Sequence, residues 1–538
     1  MRRLSGWSRR LFVAGAMLCT LGAAHPAAPL GAKPAHYDVL IRGGTLFDGT
    51  GSAGRRADLA ITGDRIVKVG AIPADATADT MVDATGKIVA PGFIDVHSHA
   101  APGIETPELA AALPILYQGV STVVINPDGK GPADLAPQFA RIRALTPGVN
   151  LVPLIGHNAV REAVMGLANR DPSPEELARM EQLVANAMDL GAFGLSSGPF
   201  YIPGTYSKTP ELVALARVAV RYPGAVHTSH IRDESSYDIG VLAAIRELIE
   251  VSRQTGIRGI VTHMKMLGPS VWGQSAEAIR MIDAARAEGL SIWADQYPYT
   301  ASGSNITAAL VPDWAQEGGA QALAARLRDP AQRAKIRAAM APNLVLRGGA
   351  ATIQIRSYPA DHSLEGKRLD AIAAARGQDP LDTAIDMLIA GGAKTISFNM
   401  RDDDVDAIMR QPWTMTSTDG ALVKFGEGSE HPRAYGTFPR KIRLYVLERP
   451  VLSMARAIHS ATGLPAQVFG IEDRGMLRAG AFADVLVFDP RTIRDTATYE
   501  KPHAYAEGVD FLFINGSAAV FRGKPAPGRF GRLLLRKR

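Results

Sequence analysis

The stretch Gly92-Phe93-Ile94-Asp95-Val96-His97-Ser98-His99 carries the first suggestion of chemistry. A short apolar run ends in two histidines with one residue between them. Side chains alternate faces along a strand, so positions two apart point the same way. His97 and His99 can therefore aim at one point from a strand's end, and neutral imidazole is a common ligand for zinc-like metals. The sole cysteine, Cys19, lies in a segment read below as an export signal. The remaining chain then offers no thiolate, so any metal must sit on His, Asp or Glu.

Positioning such groups requires a scaffold, and the middle of the chain alternates short apolar runs with helical stretches, the pattern of βα units and a parallel barrel. Candidate strands are 93–97, 120–126, 150–156, 192–197, 225–229, 258–262, 291–296 and 413–418. Thr395 to Phe398 reads either as a ninth strand or as part of an insert. Pro174 to Leu190 and Asp238 to Gln254 read as amphipathic crossover helices with Pro or Gly near their ends. The interval from about 306 to 394 is too long for an ordinary loop, and with the helical, charged stretch Leu323 to Met340 it reads as an inserted subdomain, a candidate lid. Residues 36–92 and 466–538 are β-rich and flank a barrel at 93–465, which suggests one small β domain built from both ends. The expected fold class is α/β: a TIM-like (β/α)₈ barrel with a small β-sandwich.

Polar residues gather just after the candidate strands. His97 and His99 follow the first, Asp128 the second, His227 and His230 the fifth, His263 and Lys265 the sixth, and Asp419 ends the eighth. In a (β/α)₈ barrel the strand C-termini share one face, where active sites sit. Asn126-Pro127-Asp128-Gly129 and Asp419-Gly420 read equally well as turns. His227, three residues before His230, is expected to point elsewhere and to serve structure.

Composition narrows the classes. The 538 residues are 21% charged and 46% hydrophobic, which suits a globular chain of several parts. The first ~35 residues read as an export signal: Arg2, Arg3, Arg9 and Arg10 precede an apolar stretch from Leu11 to Ala24, and Ser8-Arg9-Arg10-Leu11-Phe12-Val13 resembles a twin-arginine motif. The expected location is the periplasm. Setting residues 1–36 aside leaves 54 basic against 53 acidic residues, so the formal charge of +6 belongs largely to the signal and makes no case for nucleic acid. No run after it is long and apolar enough to span a bilayer.

The segments APGFIDVHSH, GAFGLSSGPFYIPGTYS, HIRDE, THMK, DQYPY, TSTDG, HPRAYGTFPR and DRGMLRAGAFADVLVFDP follow one another in order. From about residue 37 to 532 the chain resembles the D-aminoacylase (N-acyl-D-amino-acid deacylase) branch of the metal-dependent amidohydrolases. The resemblance implies a barrel with a β-sandwich made from both termini. It implies zinc, as one or two ions, with another divalent metal as an alternative. The matching ligands are His97, His99, His230, His263 and Asp419, and Asp419 also matches the family's proton shuttle. Where that branch has a cysteine after the second strand, this chain reads Asn126-Pro127-Asp128, so Asp128 is the nearest match. No lysine occurs from Gly191 to Gly198, which argues against the hydantoinase-like relatives that bridge two metals with a modified lysine.

The resemblance also implies that Lys265, Arg433, Tyr201 and Tyr297, joined by Ser302 or Ser304, bind the free α-carboxylate of a small N-acyl amino acid. Arg401, in NMRDDD, reads better as a charged loop residue. The implied reaction is hydrolysis of N-acyl-D-amino acids to a carboxylate and a free D-amino acid. Alternatives are a related hydrolase of dipeptides, other N-acyl amines or esters, and an exported binding protein without catalysis.

Overall fold

The computed structural model describes residues 35–537. The export segment, residues 1–35, lies outside the described residues apart from its last. Among the described residues no helix is long and apolar enough to cross a membrane.

Eight parallel strand positions surround a common axis. Phe93–Asp95, Val120–Ile125 and Asn150–Pro153 pair in one sheet. The third position continues after Leu154 as Ile155–Gly156, which begins a second sheet with Gly194–Ser197, Val226–Ser229, Arg258–Val261, Ile292–Gln296 and Thr414–Thr416. Gly420–Ala421 then pairs in parallel with Ser98–His99, and Asp419 N donates to His97 O at 2.9 Å. The last position thus meets the first, and the ring is a (β/α)₈ barrel. These strands read as apolar runs because helices cover them on the outside and packed side chains fill the inside.

The crossover helices carry their own signals. In Pro174–Asp189, Ser173 forms a capping box with Glu176 and Pro174 occupies the first turn. Val241–Thr255 ends at Gly256, which takes a left-handed φ of 77°. This helix starts three residues later than the pattern predicts. The Asp233 carboxylate accepts hydrogen bonds from the backbone N–H groups of Ser235, Asp238 and Gly240 at 2.8–3.0 Å, which holds residues 235–240 as a loop.

Between the seventh and eighth strands lies a subdomain with its own core, including Leu327, Ile336, Met340, Ile353 and Ile385. Thr395–Phe398 belongs to it: Lys394–Ser397 pairs antiparallel with both Ser302–Asn305 and Ile353–Ser357. The subdomain therefore begins at 302 rather than 306. The helical stretch expected from 323 to 340 is two helices, Gly319–Arg328 and Pro330–Leu346, divided where Asp329 caps the second and Pro330 opens it.

The chain ends build a sandwich. A four-stranded sheet (Arg65–Gly70, Asp58–Thr62, His36–Arg42, Thr77–Asp83) faces a seven-stranded one in which Ile88–Pro91 pairs with Val485–Phe488. Val39, Ile41, Leu59, Val485, Val487 and Phe513 fill the space between them. The helix Gly463–Phe469 sits elsewhere. Its Leu464, Val468 and Phe469 pack with Ile94, Val124, Val152, Ile260 and Met415 inside the barrel's lower end, so the chain returns to the sandwich after this helix rather than at 466. A buried Phe or Leu of this kind stabilises by about 1.5–3 kcal/mol. The C-terminal tail also returns to the barrel, where Leu151 N donates to Arg532 O at 2.9 Å and Leu534 N to Leu151 O at 2.8 Å.

Candidate metal centre

Two buried aspartates fasten the strand ends. Asp95 accepts from His97 N (3.2 Å), Thr418 N (2.9 Å) and Thr418 Oγ1 (2.5 Å), which ties the first strand to the eighth. Asp295 Oδ1 accepts from His263 N (2.9 Å) and Ser417 Oγ (2.5 Å), which ties the sixth, seventh and eighth. A third clamp holds the loop after the second strand: Ser196 Oγ donates to Asn126 O at 2.6 Å and accepts from Gly129 N at 3.1 Å. Asn126-Pro127-Asp128-Gly129 is thus a turn, and the turn presents Asp128 inward. Asp128, His263 and Asp419 all adopt left-handed φ values of 56°, 35° and 48°. Non-glycine residues enter that region at a cost, and such strain concentrates at functional sites.

Asp128 is the hub. Its Oδ1 lies 3.3 Å from His97 Nε2, 3.6 Å from His263 Nε2 and 3.9 Å from His230 Nδ1, and its Oδ2 lies 3.2 Å from His99 Nε2. Asp419 Oδ1 lies 3.1 Å from His99 Nε2 and 3.7 Å from His97 Nε2. Donor atoms of His97, Asp128, His263 and Asp419 come within 4.8 Å of one another. Both ring nitrogens of His97 and of His230, with Asp128 Oδ1, are buried without a hydrogen bond. Buried polar atoms that face one another without hydrogen bonds are costly. Oxygen and imidazole donors in this arrangement fit a zinc-like divalent cation.

The charges bear on this in two ways. Burial and Lys265 push His263 down, but the Glu234, Asp419 and Asp128 carboxylates outweigh them and raise it to about 10, so a cation bound there displaces its proton. Burial pushes the Asp128 carboxyl up, but the His97, His263 and His99 imidazoles outweigh it and hold the group well below the ordinary carboxylate range. Asp419 is likewise held well below that range, against burial, chiefly by Arg433 and His263. Burial pushes His230 down to about 3, so its ring is neutral and its lone pair free to coordinate.

Glu234 is a site residue that the spacing did not reveal. Its Oε1 lies 2.5 Å from Lys265 Nζ and 3.1 Å from His263 Nδ1, and its Oε2 lies 3.7 Å from His230 Nε2. A carboxylate on the far nitrogen of a ligand histidine orients the ring. The signal was in HIRDE, four residues after His230, but the chain has left the strand there and strand periodicity no longer applies. Lys265 lines the cavity with its ammonium already paired.

A cavity of about 370 Å³ stands over these groups, lined by His99, His230, His263, Asp419, Lys265, Arg433, Tyr201, Ser302 and Ser304 among others. That volume suits a small molecule. Arg433, at the start of the helix Arg433–Ile442, holds Asp419 Oδ2 with Nη1 at 2.8 Å. Ser302 Oγ donates to Asn399 Oδ1 at 3.2 Å. Tyr297 does not line the cavity: it is 1% exposed beneath the Arg433 guanidinium, 4.6 Å from ring centroid to Cζ, with its hydroxyl toward Met400 Sδ. His227 also stays out, its Nε2 2.8 Å from Ser197 Oγ.

The sequence profile of an amidohydrolase family, Amidohydro_3, matches residues 80–523. The chain belongs to the amidohydrolase family. This amidohydrolase is 35% identical over 519 residues to an N-acyl-D-glutamate deacylase of Alcaligenes xylosoxydans xylosoxydans, covering 93% of this chain and 96% of the relative. It is 33% identical over 524 residues to a D-aminoacylase of the same organism, covering 93% and 98%. A crystal structure of N-acyl-D-glutamate deacylase from Bordetella bronchiseptica, complexed with zinc and a phosphonate that mimics the tetrahedral intermediate, superimposes with a TM-score of 0.79 at 33% identity, covering 93% of this chain and all of that one. The amidohydrolase is therefore a metal-dependent hydrolase of amide bonds.

Proposed function

We propose that this amidohydrolase hydrolyses N-acyl-D-amino acids to a carboxylate and a free D-amino acid, with zinc held by His97, His99, Asp128, His230, His263 and Asp419. The observation that carries the reading is the split position of Asp419 on the cavity wall, one oxygen on Arg433 and the other facing the ligand histidines. The kinship with deacylases of N-acyl-D-glutamate and of other D-amino acids over nearly the whole chain supports the substrate class and its handedness.

Amide hydrolysis faces three difficulties: a weak electrophile, a weak nucleophile, and an amine that leaves badly unless protonated. When bound, a divalent cation polarises the carbonyl and lowers the pKa of water to about 7. Asp419 Oδ1 accepts a proton from water as the new C–O bond forms, then gives that proton to the nitrogen as the C–N bond breaks. Such positioned transfer is worth about 10²–10⁴-fold. Arg433 fixes the carboxylate for both transfers, and its second nitrogen is available to the substrate's α-carboxylate, with Tyr201 and Ser304 beside it on the wall. Tyr297 supports Arg433 from below.

The test is metal content together with release of amino acid from paired N-acetyl-D- and N-acetyl-L-amino acids by the purified protein. Bound zinc with D-selective release is expected. Bound metal without turnover of either series overturns the substrate class.

We also propose export to the periplasm by the twin-arginine route, supported by Arg9 and Arg10 ahead of the apolar stretch. Replacing both arginines by lysine is expected to leave the protein in the cytoplasmic fraction, and periplasmic delivery of that variant overturns the route.

A further inference from the structure

The charges of the cavity fall into two groups. Near the metal centre each cation has its carboxylate, Lys265 with Glu234 and Arg433 with Asp419. The wall supplied by the inserted subdomain and by the loop after the second strand is different. Besides Arg347, whose Nη1 donates to Ser397 Oγ at 3.2 Å, the cations Arg356, Lys394 and Lys130 line the same cavity. Among the described residues, the ion pair formed by these three is Arg356 Nη1 with Glu430 Oε1 at 3.1 Å. Glu430 Oε1 also accepts from His431 N at 2.9 Å, and Arg356 Nε is buried without a hydrogen bond. Burial pushes the Lys394 ammonium down, and Arg356 and Lys130 push it further while Glu430 opposes them. Like charges on one cavity wall repel unless an anion enters between them.

Gly303 sets the spacing. It lies in the strand Ser302–Asn305 without a left-handed φ, so the backbone does not require glycine there. A Cβ at that position would lie 3.0 Å from Arg433 Nη2 and 3.4 Å from Arg356 Nη1. Two guanidinium groups from different elements thus converge over one residue without a side chain. One comes from the barrel's last loop and helix, the other from the insert.

We propose that Arg356, helped by Lys394 and Lys130, is the receptor for a second carboxylate, so that the substrate's amino-acid part is acidic: its α-carboxylate lies at Arg433 and its side-chain carboxylate at Arg356. This rests on the N-acyl-amino-acid reading above. Arginine binds carboxylate through parallel bonds in a fixed fork. Two guanidinium groups flanking one glycine, each with one nitrogen already on a protein carboxylate, match two carboxylates a few carbons apart on the same amino acid. A carboxylate on the acyl arm would lie across the scissile amide instead. Sequence identity does not choose the side chain, because a relative named for N-acyl-D-glutamate and one named only as a D-aminoacylase match almost equally well; the unbalanced charge does.

The test compares kcat/KM for N-acetyl-D-glutamate, N-acetyl-D-aspartate, N-acetyl-D-leucine and N-succinyl-D-leucine, using the zinc-loaded protein and its Arg356→Met, Arg356→Lys and Gly303→Ala variants. The wild type is expected to favour an acidic acetyl substrate over the leucine one by at least about tenfold, the worth of a charged hydrogen-bonded contact. Arg356→Met brings the ratio toward unity, mostly through KM. Arg356→Lys keeps part of it. Gly303→Ala reduces it by placing a methyl between the two forks. Added salt narrows the wild-type preference. An acidic preference that survives Arg356→Met, or a preference for N-succinyl-D-leucine, overturns the proposal. Turnover of N-acetyl-D-leucine alone overturns it while leaving the deacylase reading in place. Absence of turnover on all four overturns both.

Discussion

Arg433 grips Asp419 by one oxygen and leaves the other to the histidines: Nη1 lies 2.8 Å from Oδ2, while Oδ1 lies 3.1 Å from His99 Nε2. The carboxylate is thus both anchored and free. Asp419→Asn preserves its shape and removes its charge and basicity. Turnover is expected to fall by about 10²–10⁴-fold, with a lower melting temperature because the buried Arg433 guanidinium loses its counter-charge. Steady-state kcat beside a thermal melt checks this, and undiminished kcat removes Asp419 from proton transfer.

Asp128 faces His97, His99, His230 and His263 at 3.2–3.9 Å, the four histidines proposed to hold the metal. Asp128→Ala should therefore lose most of its metal on dialysis. Asp128→Cys should regain it with a shift toward zinc over manganese, because thiolate is the softer donor. Metal analysis of the dialysed proteins is the check. Full metal retention in the alanine variant would reduce Asp128 to a turn residue.

Asp295 never reaches the cavity, yet it holds His263 N and Ser417 Oγ together. Asp295→Ala leaves those buried donors unsatisfied at a cost of about 1–3 kcal/mol each. It also loosens a ligand, for which losses of about 10–100-fold in metal affinity are typical. Asp295→Asn keeps an accepting oxygen and should lie between. A denaturant midpoint and a metal titration measure the two effects, and a stable variant that binds metal normally contradicts the positioning role.

His227 supplies a pH dependence away from the metal. Burial, with the nearby His157, pushes its pKa from 6.5 down to about 3. The unfolded chain therefore binds this proton more readily than the native one. The stability is complete above pH 6.5 and is lost as pH falls from there toward 3, at up to about 1.4 kcal/mol per pH unit. His227→Gln removes the titration, so its urea midpoint should fall less steeply than that of the wild type between pH 6.5 and 4. Parallel slopes would show that other groups carry the dependence.

Much of the frame was legible because buried parallel strands read as apolar runs and because strand-end residues project to one face. His97, His99, His230, His263, Asp128 and Asp419 converge for that reason. Strand logic failed where the chain leaves the strand. Glu234 enters the site through a loop, and its direction depends on where Lys265 and His263 stand. The resemblance groups Tyr297 with the cavity residues, whereas its ring lies against Arg433. Nothing in the sequence marks the roles of Asp95 and Asp295, since their partners Thr418 and Ser417 are more than a hundred positions away. The edges of the insert moved for a similar reason: Ser302–Asn305 becomes a strand only because Lys394–Ser397 returns beside it.

The helix Gly463–Phe469 gives the enzyme a closed bottom. Its apolar side chains cork the barrel below the reaction centre, which leaves the cavity at the strand ends as the way in and out among the described residues. Both fragments must retreat along the path their parent took. Whichever lingers stands in the way of the next arrival. The freed amino acid, still matched to the arginine that received it, is the fragment expected to linger and to compete with fresh substrate.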